Sequence, residues 1–270
     1  MSPMPRITFL GTGSAFPSHS YNSCFILYDE PLSLIVDAGG GNGVISQLER
    51  SKIDVTALHH FFITHAHTDH ILGAVWVVRA VINAFIQKRY EGKLSLYGNS
   101  DTLNALDAIC KLTLLSSHYK LMQQITLWTN VENRHEMIIE NNKFYFFNVG
   151  SENVCQTGFR LILKNGRELV CLGDEAITER NISHCLNADY VICGAFCRKA
   201  DASIFRPYEK HHHTVLDVAQ EAQIAGVKNL ILVHCEDTDL VNRQTLYAQE
   251  ASSVFGGKLI VPHDLETLIL

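Results

Sequence analysis

The residues with the clearest chemical potential lie in one short segment, 63–70, which reads Ile-Thr-His-Ala-His-Thr-Asp-His. His65, His67 and His70, together with Asp69, fall within six residues directly after an apolar run. A strand that ends here would bring neutral nitrogen donors and a carboxylate into one turn. Zinc, iron and manganese favour this mixture of ligands in proteins. The segment therefore predicts a metal site and disfavours a histidine-rich surface loop.

Three further polar residues follow apolar runs elsewhere in the chain. Asp37 comes after Leu-Ile-Val, Asp174 after Leu-Val-Cys-Leu-Gly, and His234 after Leu-Ile-Leu-Val. An isolated Asp or His at a strand end usually caps the backbone or satisfies a hydrogen bond. Each of the three is therefore a metal-ligand candidate only if one template accounts for all of them.

The surrounding pattern predicts the elements that would position these residues. Strand-like apolar segments alternate with turns in both halves, and Asn165-Gly166 predicts a hairpin turn. Helical patterns follow the histidine segment over 71–89 and recur over 214–225, before Gly226. The pattern predicts an α/β (α+β) fold with two sheets packed face to face and helices outside. With no Pro- or Ser-rich linker, residues 1–270 are predicted to form one domain.

Charge and composition bear on the substrate and the partners. The chain is 47% hydrophobic and 19% charged, which is typical of a globular protein, and its net charge is −6. This balance supplies no basic field that would attract a nucleic acid over distance. It argues against a nucleic-acid-binding protein, although an acidic total can hide a local basic patch.

The compartment is predicted from three observations. No signal-peptide pattern precedes the strand-like segment 7–10. The longest apolar segment, 71–86, is interrupted by Arg79 and Asn83 and is shorter than the about 20 residues that span a membrane. The eight cysteines are scattered without a Cys-x-x-Cys pair, which indicates free thiols. These observations predict a cytoplasmic protein without a membrane partner.

The motifs taken in order resemble the ribonuclease Z and phosphodiesterase branch of the metallo-β-lactamase superfamily. The resemblance runs from about Ile7 to His234. It implies an αββα sandwich with a metal centre of two divalent ions, zinc first and manganese or iron as alternatives, in the cleft between the sheet edges. The motifs are Gly11-Thr12-Gly13-Ser14-Ala15-Phe16-Pro17, Asn22-Ser23-Cys24-Phe25, Val36-Asp37-Ala38-Gly39, the histidine segment, Gly173-Asp174, His212-His213-Thr214 and His234.

The resemblance also assigns the metal ligands. A hydroxide held between the two metals would be the nucleophile. Asp37 would orient an imidazole from outside the ligand set. The ligands would be His65 and His67 for the first metal, Asp69, His70 and His234 for the second, and Asp174 for both.

The catalytic residues that the resemblance implies are Asp69, which is also a ligand, and His212. The branch usually has His-Ser-Thr where this chain has His212-His213-Thr214. Such a histidine could protonate a leaving alkoxide or hold a phosphoryl oxygen. The run of three histidines is alternatively a charged helix N-terminus.

One ligand that the resemblance requires is missing. The branch supplies a third histidine to the first metal shortly before the Gly-Phe-Arg strand, but residues 146–152 contain none, and Gly150 is the expected vacant position. Glu152, Ser151 or Cys155 could substitute, and Glu is an acceptable ligand for these metals. Without a substitute, the first metal would bind more weakly. The alternative hypothesis is therefore a degenerate member that binds a ligand without turnover.

The substrate is predicted to be a small molecule, namely a small phosphodiester or a cyclic phosphate such as a cyclic nucleotide. Ribonuclease Z carries a long Gly- and Pro-containing arm that grips transfer RNA, and no such insert lies between Asp174 and His211. Transfer RNA is accordingly not expected as a partner, and RNA cleavage is the least favoured reading. The resemblance also implies a homodimer.

Overall fold

The computed structural model of the chain describes residues 4–132 and 134–270. Residues 1–3, which begin the segment without a signal-peptide pattern, and Asn133 lie outside the described residues. The strands are β1 (Arg6–Gly11), β2 (Cys24–Asp29), β3 (Leu32–Val36), β4 (His60–Phe62), β5 (Leu94–Gly98), β6 (Thr126–Asn130), β7 (Met137–Ile139), β8 (Asn142–Asn148), β9 (Thr157–Ile162), β10 (Glu168–Cys171), β11 (Tyr190–Gly194), β12 (Asn229–Val233), β13 (Lys258–Ile260) and β14 (Thr267–Ile269). The helices are α1 (Gly43–Arg50), α2 (Thr68–Ile86), α3 (Ser100–Thr113), α4 (Ser116–Ile125), α5 (Ile182–Cys185), α6 (Ala202–Phe205), α7 (Val215–Ile224) and α8 (Arg243–Ala251).

In the described residues the strands form two seven-stranded sheets. The first has the order β14-β1-β2-β3-β4-β5-β6, and the second has the order β13-β12-β11-β10-β9-β8-β7. Each sheet is mixed, because β1, β2 and β3 pair antiparallel whereas β3 to β6 pair parallel. In the second sheet β7 to β10 pair antiparallel and β10 to β13 pair parallel.

Three clusters of buried side chains divide the molecule into layers. One cluster lies between the sheets and joins residues such as Phe9 and Phe62 to Phe159 and Ile231. A second packs α1, α2, α3 and α4 on the outer face of the first sheet, and a third packs α7 and α8 on the second sheet. Apolar side chains on both faces of each sheet explain the near-continuous apolar runs in its parallel strands. The result is the αββα sandwich, and the predicted fold class is confirmed.

Helix α2 begins three residues earlier than the sequence pattern predicts and ends at Ile86, not at Arg89. Asp69 and His70 therefore lie in its first turn, with His67 at the N-cap position. Gly73 brings this helix against the turn after β3, because a Cβ there would lie 1.8 Å from the carbonyl oxygen of Ala38. The close approach places the end of the histidine segment beside Asp37.

By length and composition alone, α2 would be able to cross a membrane, which corrects the estimate that its apolar segment is too short. The added residues of its first turn bring it to 19 residues. However, 61% of the apolar window is buried inside the protein, where it forms part of the core beside the first sheet. A core helix has the same length and composition, and the packing assigns α2 to that role.

The remaining predicted elements agree with the structure within a few residues. Gly166 takes a positive φ of 82° in the turn between the antiparallel strands β9 and β10. Helix α7 begins after Thr214, whose side chain and that of Asp217 form a capping box, and Gly226 follows its end with φ of 68°. Residues 100–130 contain α3, α4 and β6.

Candidate metal centre

The candidate ligands lie at the carboxyl ends of parallel strands. Asp37 follows β3 and the histidine segment follows β4, its parallel neighbour. Asp174 follows β10 and His234 follows β12, which both pair parallel with β11. The carboxyl ends of parallel strands meet at one edge of a sheet, so each sheet presents its polar residues at one edge. Asp37 (φ 55°) and His234 (φ 57°) take the left-handed conformation, which turns the chain sharply there.

The six candidate ligands form two groups of three. Within each group the donor atoms lie within 4.8 Å of one another. The first group consists of His65, His67 and Asp174, and the second of Asp69, His70 and His234.

Asp174 faces both groups. Its Oδ1 lies 3.9 Å from Nε2 of His65, and its Oδ2 lies 3.7 Å from Nε2 of His70 and 3.7 Å from Nε2 of His234. Each oxygen of this carboxylate is therefore directed at a different group, which is the arrangement needed to bridge two cations.

Neighbours outside the ligand set hold two members of the second group, one through its ring and one through its backbone. Oδ2 of Asp37 lies 2.8 Å from Nδ1 of His70, so the Nδ1–H of His70 donates to Asp37 and its Nε2 turns towards Asp69. The backbone N–H of His234 donates to Oγ of Ser23 at 2.8 Å. All three members of the group are buried. A carboxylate partner such as Asp37 raises the basicity of the His70 imidazole and fixes its tautomer.

The first group has a different environment. Nδ1 of His65 lies 2.9 Å from Oγ1 of Thr64, whose backbone N–H and hydroxyl also donate to Asp37. His65 is fully buried, whereas His67 is exposed to solvent. The imidazole of His67 is therefore less constrained by its surroundings than the imidazole of His65.

Gln156 connects the bridging carboxylate to the second sheet. Its Nε2 donates to Oδ1 of Asp174 at 2.8 Å and to the carbonyl oxygen of Leu172 at 2.9 Å. The Gln156 side chain is buried. This amide holds Oδ1 of Asp174 on the side of His65 and leaves Oδ2 directed at the second group.

The donor chemistry fits divalent cations. Nε2 of His65 and Nε2 of His70 are buried and have no hydrogen-bond partner among the described residues. A buried nitrogen lone pair without a partner is costly unless something binds it. Burial raises the pKa of the Asp69 and Asp174 carboxyls, but the facing imidazoles outweigh it and hold both pKa values well below the usual range. Burial lowers the pKa of His65 to about 3, so its imidazole is neutral and able to bind a metal.

None of the three proposed substitutes for the missing histidine belongs to either donor group. The carboxylate of Glu152 is exposed and binds Nη2 of Arg180 at 2.5 Å, with Nδ1 of His211 at 3.8 Å. A Cβ at Gly150 would lie 2.7 Å from Cβ of Arg180, and Gly150 has φ of 79°. Ser151 and Cys155 are likewise absent from the donor groups that the described residues form. The first group therefore has three donors, including Asp174.

His212 lies beside the second group. Its ring stacks on Phe196 with centroids 5.4 Å apart, and its centroid lies 4.9 Å from that of His234. Burial, the largest effect, lowers the pKa of His212 to about 4. At pH 7 the imidazole is thus neutral and offers one N–H to a bound oxygen.

Three residues that hold the candidate ligands in place are not predicted from the sequence: Thr64, Gln156 and Ser23. Thr64 and Ser23 both lie within quoted motifs, and their position next to a ligand-bearing segment was the available signal. Gln156 carries no charge and lies in no motif, so nothing in the sequence distinguishes it from other loop amides.

The αββα sandwich, with paired His and Asp donors at the carboxyl edges of its sheets, agrees with the predicted resemblance to the ribonuclease Z and phosphodiesterase branch of the metallo-β-lactamase superfamily, and relatives named ribonuclease Z indicate a metal-dependent hydrolase. The family model described as "Anti-Pycsar protein Apyc1" matches residues 5–243, and the chain belongs to this family.

Named relatives and solved structures agree with this placement. The chain is 24% identical to ribonuclease Z of Streptococcus gordonii, over 97% of this chain and 98% of that protein. Its fold is similar to the metallo-β-lactamase fold protein YhfI from Bacillus subtilis, with a TM-score of 0.78 and 19% identity over 98% and 99% of the two chains. It is also similar to human tRNase Z, short form (ELAC1), with a TM-score of 0.73 and 21% identity over 98% and 99%.

The relatives correct one prediction. The expectation that excluded transfer RNA and restricted the substrate to a small molecule is wrong, because relatives named ribonuclease Z match 97% and 86% of the chain. A net charge of −6 is a sum over the whole chain and does not describe the surface near the site. The arm that grips transfer RNA is one means of binding RNA. Its absence therefore does not decide which bond the protein cleaves.

Proposed function

We propose that the protein hydrolyses phosphodiesters at a centre of two divalent metal ions, with zinc as the first candidate. The observation that carries this proposal is the position of Asp174, whose two oxygens are directed at two separate groups of His and Asp donors. Paired metal ions suit phosphate esters, because together they stabilise the attacking and the leaving oxygen of an in-line displacement.

In this proposal His65, His67 and Asp174 hold one ion, and Asp69, His70, His234 and Asp174 hold the other. The ions, when bound, activate water and neutralise charge on the phosphodiester. Asp37 keeps Nε2 of His70 free for a metal by accepting the proton on Nδ1. His212 lies next to His234 and donates its N–H to a phosphoryl or leaving oxygen.

Two substrate classes are consistent with this chemistry. Small phosphodiesters, including cyclic phosphates such as cyclic nucleotides, need only the centre itself. RNA is the second class, and it is favoured by the relatives named ribonuclease Z. The family description names an anti-Pycsar role and neither a bond nor a substrate.

The test begins with the metal content of protein purified without chelator, measured by plasma mass spectrometry. The same sample is then assayed on bis(p-nitrophenyl) phosphate, on cyclic nucleotides and on a transfer-RNA precursor with a 3′ extension, at low and at physiological salt. We expect about two ions per chain and hydrolysis of at least one class. RNA as substrate would show binding that weakens steeply with salt.

The alternative function, a ligand-binding member without turnover, is motivated by the three-donor first group. It predicts one ion or none per chain, even after zinc or manganese is added, and no hydrolysis of any of the three substrates. A protein that holds two ions and cleaves none of them would contradict the proposed function.

A further inference from the structure

A fully buried arginine contacts the loop that follows β1 and takes no part in the proposed metal binding. Arg243 is the first residue of α8 and is 1% exposed. Its Nη2 donates to Oγ1 of Thr12 at 3.1 Å and to the carbonyl oxygen of Pro262 at 2.8 Å. A guanidinium loses its hydration when it is buried, and its contacts must offset that loss. The contacts of Arg243 join α8 to this loop and to the segment before β14.

Asp264, in the segment before β14, contacts the same loop at two points. Its Oδ1 accepts hydrogen bonds from the backbone N–H and the hydroxyl of Thr12, both at 3.0 Å, and its Oδ2 accepts the backbone N–H of Tyr21 at 2.6 Å. Burial is the largest influence on the carboxyl and raises its pKa, whereas these hydrogen bonds and the charge of Arg243 oppose that effect. The Thr12 hydroxyl accepts from Arg243 and donates to Asp264, so it links the two charged groups.

The loop between Thr12 and Tyr21 is also held in its middle. Oδ2 of Asp237 accepts hydrogen bonds from three consecutive backbone N–H groups, those of residues 18–20, at 2.7, 2.5 and 3.0 Å. Hydrogen bonds to an ionised carboxylate are among the stronger ones in proteins. Because Asp264 holds both ends of the loop and Asp237 holds its middle, the loop can transmit the position of Asp264 to the residues that it contacts.

Thr12 connects the two charged groups to the second sheet. Its carbonyl oxygen accepts the backbone N–H of Cys235 at 3.2 Å, and the backbone N–H of Ser14 donates to the carbonyl oxygen of Cys235 at 3.1 Å. Cys235 directly follows His234, whose own backbone N–H donates to Ser23. The chain is therefore held both at the candidate ligand His234 and at the residue after it.

Tyr21 connects the same carboxylate to the first sheet. The Tyr21 hydroxyl lies 2.9 Å from the carbonyl oxygen of Ala38 and 3.0 Å from that of Gly41, within donating distance of both. Ala38 follows Asp37, and its backbone N–H donates to the carbonyl oxygen of His70 at 3.1 Å. Asp37 also accepts the Nδ1–H of the His70 ring. The turn that orients His70 is therefore fixed to the loop after β1.

We propose that Arg243 and Asp264 position the second group of candidate ligands by holding its two halves at a fixed separation. His70 lies on α2, beside the first sheet, whereas His234 follows β12 of the second sheet. Hydrogen bonds from one carboxylate lead to the backbone beside each of them. Both residues act on a metal through others, so they are positioning residues and not ligands. The inference rests on the proposed metal-dependent function and adds Asp264, which lies beyond residues 5–243 that the family model matches.

The test uses protein loaded with Co²⁺, whose visible absorption reports the number and the geometry of its ligands. Asp264→Asn removes the charge and turns one of the two acceptor oxygens into an amide donor that faces a backbone N–H. We expect the Kd of the buried position for Co²⁺ to rise by about tenfold, the lower end of the range for residues that orient a ligand, and its absorption bands to shift. Arg243→Met, which keeps the aliphatic stem, should change both readouts in the same direction.

A matched pair of variants tests the link between the two charges. Thr12→Val removes the linking hydroxyl and keeps the shape of the side chain, so it should reproduce the shifted bands, whereas Thr12→Ser should keep the spectrum of the unchanged protein. Asp29→Asn is the control for a purely structural role. Asp29 is the last residue of β2, is buried, and accepts hydrogen bonds from Asn142 and from the backbone N–H of Lys164. Its substitution should lower Tm and leave the Kd and the spectrum unchanged.

An unchanged Kd and spectrum in folded Asp264→Asn would overturn the proposal, and so would the same changes in Asp29→Asn. If Asp264→Asn does not fold, the Thr12 pair decides, because equal spectra of Thr12→Val and Thr12→Ser reject the positioning role. Co²⁺ binding requires no hydrolysis, so a protein that binds metal without turnover still tests this inference separately from the proposed function.

If the unchanged protein binds no ion, the proposed function fails and the separation of His70 and His234 is compared in metal-free protein. Their rings stack with centroids 5.8 Å apart, so nuclear Overhauser contacts between their ring protons report that separation. The contacts should be present in the unchanged protein and in Asp29→Asn, and weaker in Asp264→Asn. Equal contacts in all three proteins, or none in the unchanged protein, reject the positioning role.

Discussion

The two donor groups of the candidate metal centre share Asp174 but differ in how they are held. Asp69, His70 and His234 are all buried, and Asp37 and Ser23 fix the second and third of them. In the other group His65 is buried and held by Thr64, whereas His67 is exposed at the N-cap of α2. The group that contains His70 is therefore buried and has four donors when Asp174 is included. The group that contains His65 has three donors, Asp174 among them, and is open to solvent.

From this contrast we expect the two proposed metal positions to differ in their affinity for the ion. Each missing ligand must be replaced by water, and an exposed imidazole loses conformational entropy when it binds. The open position also has a use, because a catalytic metal needs a coordination site for water or substrate. We therefore expect the absence of a third histidine near Gly150 to weaken the binding of one ion without abolishing the centre.

The largest effect is expected where the two groups meet. Asp174→Ala removes the one carboxylate directed at both, so bound metal and activity should fall together, with activity reduced to background. Metal content by plasma mass spectrometry and phosphodiesterase rate are measured on the same sample. Two ions retained in this variant would show that Asp174 does not bridge.

The difference between the groups is tested by His234→Ala and His67→Ala. Removal of His234 opens the buried group, and we expect a loss of activity of more than about 100-fold, since a ligand contributes more than an outer partner. His67→Ala should retain about one ion after dialysis against a chelator, whereas His234→Ala should retain less. If His67→Ala retained less metal than His234→Ala, the group that contains His65 would be the position with the higher affinity.

His212 lies outside both donor groups. A variant at this position therefore tests catalysis separately from metal binding. His212→Ala should lower kcat by about 100-fold, as expected for a group that assists the reacting oxygens, while both ions remain. Parallel variants at His211 and His213 serve as controls, because neither ring approaches His234 among the ring pairs of the described residues. A comparable loss of kcat in a His211 or His213 variant, with kcat of His212→Ala unchanged, would assign the catalytic role to that histidine and not to His212.

A smaller effect is expected from Asp37→Asn, which keeps the shape of the side chain but removes the charge facing His70. Affinity of the buried position for zinc should fall by about 10- to 100-fold, the range typical for such partners. Competition with a chromophoric chelator measures this change. Asp54→Asn, an exposed carboxylate whose hydrogen bond is to Thr56, is the control and should not alter zinc affinity.

The segments that carry the candidate ligands are recognisable in the sequence because they combine two signals, an apolar strand and a metal-binding residue type at its end. The apolar pattern predicts a start of α2 at residue 71 because residues 68–70 are polar and are equally compatible with a turn. Asp69 is in fact an acidic residue in the first helical turn, where it is favoured by the helix dipole. Sheet order depends on long-range pairing and could be expected only through the resemblance.

The supporting residues were harder to predict for a physical reason. Gln156 and Thr64 are uncharged and become important only through hydrogen bonds to Asp174 and His65. The partner of Glu152 was equally difficult to predict, because a carboxylate six residues before Gly158 can bind a metal or an arginine. In the structure the Glu152 carboxylate forms an ion pair with Arg180.

The loop that follows β1 is held in place by Asp237, and this has a consequence for substitutions in the loop. Asp237 holds three consecutive backbone N–H groups, so the loop keeps its path through main-chain contacts that do not depend on which side chain occupies position 16. Position 16, whose side chain is exposed, can therefore be randomised with little risk to the scaffold and without touching the candidate metal ligands.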